Sequence, residues 1–128
     1  MPLEILDVIK QEVSSAIESI RRQVVWKPGK GRQHLVKRQA MNHLPADSTL
    51  ADYNQLIQSV ASEDTHEVYR YVFGQDYYYG IVGDALNTKW LILFNPKGIM
   101  ETAFPPDDLQ AYLNKRGFEH LGKVSEFL

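Results

Sequence analysis

Val68-Tyr69-Arg70-Tyr71-Val72-Phe73, Tyr77-Tyr78-Tyr79-Gly80-Ile81-Val82, Lys89-Trp90-Leu91-Ile92-Leu93-Phe94 and Ile99-Met100-Glu101-Thr102-Ala103-Phe104 follow one another within residues 67–104. Each run is short and rich in β-branched and aromatic side chains, the composition that fits a pleated, half-buried surface. Gly74 ends the first run and Gly83-Asp84 bounds the second. Asn95-Pro96-Lys97-Gly98 supplies the turn chemistry of a tight hairpin between the last two. The spacing predicts a four-stranded antiparallel sheet, with the nearly all-apolar run at 89–94 in its middle.

Helical periods flank this block. Leu6, Ile9, Val13, Ile17, Ile20 and Val24 recur at intervals of three and four, extended by Leu3 and Ala16, and predict a long amphipathic helix over residues 3–25. Pro2 suits its first turn, and Lys27-Pro28-Gly29 stops it. The stripe fits packing on its own domain; the same intervals fit a coiled-coil seam, hence a homodimer through residues 3–25. A short helix is expected from His34 to about Leu44, closed by Pro45. A third, capped by Asp47 or Ser48, buries Leu50, Tyr53, Leu56, Ile57, Val60 and Ala61 and ends near Ser62-Glu63-Asp64. Pro105-Pro106-Asp107-Asp108 opens a last helix, buried through Leu109, Tyr112 and Leu113 and ended by Gly117. Helices followed by a run of strands spell an α+β fold, with the helices expected on one face of the sheet. The 128 residues divide into a long helix (1–26), a core (27–106) and a C-terminal helix and tail (107–128) of a single domain.

With 44% hydrophobic and 23% charged residues the chain has the composition of an ordinary globular domain. The absence of cysteine excludes disulfides, thiolate metal sites and a thiol nucleophile. No apolar run approaches the ~20 residues needed to cross a bilayer. The N-terminus alternates acidic and apolar residues, unlike a secretory leader, so a cytoplasmic location is expected. The net charge of −2 is unevenly spread. Residues 19–46 hold seven of the 14 Lys and Arg and none of the 16 Asp and Glu, a segment of charge +7 beside a remainder of −9. Such a distribution suits a focused anion site.

Within that segment Lys27-Pro28-Gly29-Lys30-Gly31-Arg32 reads as a flexible basic loop without P-loop spacing. His34, Lys37, Arg38 and Met41 fall at i, i+3, i+4 and i+7, one face of a helix at about 100° per residue. Val36, Ala40, His43 and Leu44 fall on the other, which makes His43 a core histidine. Two cations beside a histidine lower its pKa and leave a neutral imidazole near pH 7. Lys37 and Arg38 supply charge for a phosphate. A base, phosphate-binding cations and an acid for the leaving 5′-oxygen, with no metal, cofactor or thiol, are the equipment for cutting RNA, which brings its own 2′-hydroxyl nucleophile. The same face also fits a solvated basic surface that binds an anionic partner without chemistry. Metal-ligand spacing is missing around His34 and His43, and the pairs Glu63-Asp64 and Asp107-Asp108 sit at helix boundaries where capping accounts for them.

The order of features resembles the barnase–EndoU–colicin–RelE superfamily of metal-independent ribonucleases, in its phage-encoded and contact-dependent-inhibition toxin branches. The likeness rests on His34-x-x-Lys37-Arg38, on the helix with Leu50-Ala51-Asp52-Tyr53, and on Leu91-Ile92-Leu93-Phe94-Asn95-Pro96-Lys97-Gly98 leading to Thr102-Ala103-Phe104-Pro105. It covers roughly residues 30–106. The resemblance implies a barnase/RelE-like fold and RNA cleavage, tRNA included, through a 2′,3′-cyclic phosphate. It casts His34 as the catalytic imidazole, Lys37 as a phosphate or transition-state cation, and Thr102 as a hydrogen-bond partner of the scissile phosphate. Arg38 stands where the family more often has a second histidine; a guanidinium stabilises charge but is a poor proton donor. Lys30 and Arg32 are expected to meet the RNA backbone. Tyr77, Tyr78 or Tyr79, with Tyr78 as the substrate-binding choice, is expected to stack on a base or act as the acid, where such a run otherwise packs a strand. An acidic inhibitor or immunity protein would then cover the basic face. Two other readings are a non-catalytic RNA- or protein-binding module of the same fold and an oligomeric assembly protein built on the first helix.

Overall fold

The strands expected between residues 67 and 104 form, and they lie inside a wider sheet. The computed structural model describes residues 3–128, so the expectation for Pro2 falls outside it. In chain order the elements are α1 (Leu3–Arg22), β1 (Val25–Trp26), α2 (Lys30–Ala40), α3 (Leu50–Ser62), β2 (Glu67–Phe73), β3 (Asp76–Ala85), β4 (Thr88–Phe94), β5 (Ile99–Phe104), α4 (Leu109–Arg116) and β6 (Glu119–Lys123), with a final 3-10 turn at Val124–Phe127. The fold is α+β. The sheet corrects the four-stranded antiparallel expectation: it has six strands in the order β1-β5-β4-β3-β2-β6, and β1 runs parallel to β5. The added strands sit at the two edges, β6 being drawn from the segment expected to be a tail.

Period-two alternation sends the strands' side chains to two different layers. Tyr79, Ile81, Trp90, Ile92, Phe94 and Ala103 point to one face, where they meet Val13, Ile17 and Ile20 of α1 and Tyr53, Ile57 and Val60 of α3 in the main core. Val82 and Leu91 point to the other and pack on Leu113 of α4, flanked by Tyr69, Phe104, Tyr112 and Phe118. Helices therefore cover both faces, not one. The second face is covered in part only, and its open portion borders the cleft described below.

Several local expectations shift. α1 ends at Arg22, and Val24 enters the core from extended chain. Its stripe is used within the chain from Ile9 to Ile20, whereas Leu6 is 42% exposed. The third helix is capped not by Asp47 or Ser48 but by Thr49, whose Oγ1 accepts from the Asp52 N–H while the Thr49 N–H donates to the Asp52 carboxylate. Gly83 is not a turn residue: it pairs with Trp90 inside the ladder, and a Cβ there would lie 2.1 Å from the His66 ring that covers it. The turn falls at Leu86-Asn87, both with positive φ. The Asn95–Gly98 turn forms as expected, with Asn95 Oδ1 accepting from the Lys97 and Ile99 amides and Gly98 at φ +82°.

Candidate active site

Helix α2 begins a full turn earlier than expected and changes what its faces do. Gly29, at φ +78°, turns the chain into the helix without a side-chain cap, so Lys30, Gly31 and Arg32 are its first turn and not a flexible loop. The inward residues are Gly31, Leu35 and Arg38. Val36 is 62% exposed and Ala40 is exposed, so within the helix the expected apolar face points to solvent, whereas Leu44, beyond the helix end, is buried as expected. His43, beyond the helix end, sits half-buried with its ring edge-on to Trp90 at 6.4 Å; its Nδ1 is buried with no partner among the described residues.

Gly31 is small for a reason. A Cβ on it would lie 2.9 Å from the Trp26 ring, so the glycine lets that indole lie against α2. Trp26 donates its indole N–H to Asn54 Oδ1 at 2.9 Å and stacks on His34, centroid to centroid 5.4 Å at 25°. The chain Gly31–Trp26–His34 thus fixes one face of the imidazole. Its edge is fixed by Thr102, whose Oγ1 lies 3.3 Å from His34 Nδ1.

Thr102 reaches that position through a bulge. Phe94 pairs with Met100 and Leu93 with Thr102, which leaves Glu101 as an extra residue in β5. Leu93 and Phe94 point to opposite faces, so Met100 enters the main core while Thr102 turns to the other face. Unbroken alternation would put the two side chains on the same side. The bulge also swings Glu101 to the rim, where its carboxylate pairs with Lys27 at 3.4 Å.

Arg38 is the most unusual member of the group. It is only 4% exposed, and none of the ion pairs among the described residues involves it. Its guanidinium lies over the Phe104 ring at 5.4 Å and its Nη2 is 3.8 Å from Met41 Sδ, while Nε has no partner among the described residues. Burial lowers its pKa from the ordinary arginine value, but an arginine keeps its charge throughout the physiological range. A buried cation with no carboxylate beside it is costly to keep unless an anion visits it.

His34, Lys37, Arg38 and Thr102 line one cleft of about 580 Å³, and Lys30 joins them. Arg32 does not: it is exposed and is not among the residues that line the cleft. Tyr78 borders a neighbouring groove that shares only Lys27 and Glu101 with this cleft. The cleft also holds residues that sequence reasoning missed, Lys27, Glu101, Tyr112 and Arg116. Arg116 lies over the Tyr112 ring at 4.3 Å and lines the cleft from α4. Burial holds the His34 imidazole below its usual pKa of 6.5, aided by Arg38, Lys37 and Lys30 and opposed by Glu101. Burial likewise raises the Tyr112 phenol, against the pull of Arg116. At neutral pH the site therefore offers a neutral imidazole, a protonated phenol and several cations against one carboxylate.

Among the described residues no three His, Asp or Glu side chains cluster closely enough to hold a metal ion, and no helix is long and apolar enough to cross a membrane. No family model matches the chain, and neither a curated protein nor a solved structure matches it significantly.

Proposed function

We propose that this domain is a ribonuclease of the barnase–EndoU–colicin–RelE type that cleaves RNA without a metal. The observation that carries the reading is the convergence of His34, its Thr102 partner and the cations Lys30, Lys37 and Arg38 on one open cleft. With Nδ1–H donating to Thr102 Oγ1, His34 Nε2 carries the lone pair and takes the proton of the ribose 2′-hydroxyl. The 2′-oxygen attacks phosphorus, the bond from phosphorus to the 5′-oxygen breaks, and a 2′,3′-cyclic phosphate remains. Lys37 and Arg38 stabilise the charge that builds on the non-bridging oxygens. The leaving 5′-oxygen takes its proton from Tyr112, whose phenol lines the same cleft and is protonated at neutral pH as any tyrosine is. Arg38 has no part in proton transfer, which answers the missing second histidine with a different acid. The resemblance extends this reading to a toxin, and an acidic inhibitor protein is the partner that the basic cleft would attract.

A second reading is favoured by Arg38 itself: a domain that binds RNA at the same cleft and does not cut it. Incubation of the purified chain with total RNA in EDTA separates the two. Fragments ending in a 2′,3′-cyclic phosphate, lost in His34→Gln, support the enzyme. Intact RNA with a salt-sensitive gel shift supports the binding module.

A further inference from the structure

A second cleft, of about 340 Å³, adjoins the cationic one and shares Met41, Phe104 and Tyr112 with it. Its chemistry is different. Phe104 and Tyr112 stand edge to face at 5.2 Å, and Pro105 and Pro106 continue an apolar wall. The charged groups on it are the carboxylates of Asp107 and Asp108 and the ammonium of Lys115. Asp108 is occupied in part, since its Oδ1 accepts the Ala111 N–H that caps α4. Asp107 is exposed and makes neither a hydrogen bond nor an ion pair among the described residues. His43 lines the same wall with its imidazole neutral at pH 7, because burial and Arg38 lower its pKa and Asp107 opposes them. A phosphate is repelled by the two carboxylates, whereas a flat, uncharged ring with N–H groups on its edge meets aromatic and proline walls and an acceptor.

A ligand that fills both clefts is thus anionic at one end and a planar N–H donor at the other. We infer that the Met41–Phe104–Tyr112–Asp107 cleft is a nucleobase subsite that selects bases with an exocyclic amino group over uracil. The inference rests on the reading of the adjoining cleft as a phosphate site. Adenine, cytosine and guanine each carry an amino group that donates to the Asp107 carboxylate. Uracil has none and offers carbonyl oxygens beside its single ring N–H, which a carboxylate repels. The aromatic walls add stacking that every base shares and so contribute affinity without selectivity.

The test is calorimetric titration of the full chain at low salt with ribose 5-phosphate, 5′-UMP, 5′-AMP and 5′-CMP. AMP and CMP are expected to bind about five- to tenfold more tightly than UMP, the effect of one hydrogen bond to a carboxylate that stays exposed to water. Asp107→Asn, an exposed substitution, removes that difference and leaves the affinity for ribose 5-phosphate unchanged. Equal binding of all three nucleotides, or a preference for UMP, overturns the base subsite while the phosphate cleft stands. Failure of every ligand to bind, ribose 5-phosphate included, overturns the phosphate reading and this inference with it.

Discussion

Helices α2 and α3 pack side by side and are of similar length, 11 and 13 residues, yet they follow opposite rules. α3 opens with a reciprocal capping box and buries Tyr53, Leu56, Ile57, Val60 and Ala61; the Tyr53 hydroxyl donates to the Ala103 carbonyl at 2.5 Å. α2 opens on a left-handed glycine, buries an arginine and leaves Val36, and Met41 at its C-cap, more than half exposed. A helix shaped only for stability would reverse each of those choices. The contrast separates two demands on one chain: α3 anchors the sheet, and α2 carries charge to a cleft at some cost in packing.

Breaking the contrast at its strongest point means testing His34 against stability. His34→Gln is expected to lower RNA cleavage by roughly 10²- to 10⁴-fold, the range of a lost general base. Its urea midpoint should barely move. Cleavage that survives while stability falls would make α2 another structural helix. On α3 the pattern reverses. Ile57 is fully buried, so Ile57→Ala should lose about 2–5 kcal/mol in urea unfolding. A loss under ~1 kcal/mol would deny α3 its anchoring role.

Arg38→Met sharpens the comparison because it moves α2 toward the rule of α3. Replacing an unpaired buried cation by an apolar side chain of similar length should leave stability unchanged or raise it by about 1–4 kcal/mol. RNA affinity should fall by roughly ten- to a hundredfold, the value of one hydrogen-bonded charge. Unfolding of this variant would show that the guanidinium holds the helix in place.

The same contrast explains which parts were legible in the sequence. The strands at 67–104 and α3 could be read because apolar stripe and period agree there, although the α3 cap falls on Thr49, beyond the two residues expected. In α2 they conflict. Sorting side chains by polarity placed Val36 and Ala40 inside, and no local rule says that an arginine would take the buried position instead. Thr102 was found through resemblance and not through its period, since the bulge at Glu101 reverses the face on which alternation puts it. β1 has two residues and bonds only to Ile99 and Met100 of β5, a long-range pairing without a local pattern. β6, Glu119-His120-Leu121-Gly122-Lys123, lacks the aromatic and β-branched run of the other strands and exists because β2 offers it an edge. Trp26 and Gly31, which hold His34, had a sequence signal only in hindsight: a glycine three residues before the histidine, facing an indole.

Smaller effects test how the two helices start. Thr49→Ala removes one side of the capping box and should cost about 1 kcal/mol. Gly29→Ala forces a non-glycine residue to φ +78° and should cost about 1–2 kcal/mol although a Cβ meets nothing within 4 Å there. Equal insensitivity at both positions would erase the distinction between a side-chain cap and a backbone one.

The smallest expected effect is also the most selective. His34 and His43 both have pKa values below that of an unfolded histidine, each chiefly through burial. The unfolded chain therefore binds more protons than the folded one as pH falls through about 6.5 and below, and folding stability declines in that window. The contribution is intact above pH 6.5 and is lost as pH drops through the folded pKa values. His34→Gln removes one of the two groups, so its urea midpoint should fall less between pH 7.5 and pH 5 than that of the unmodified chain. Thr49→Ala, on a helix without histidine, should lower both midpoints by the same amount. Parallel pH curves for the unmodified chain and His34→Gln would mean that α2 does not desolvate its histidine, and the neutral base at the centre of the proposed mechanism would lose its physical cause.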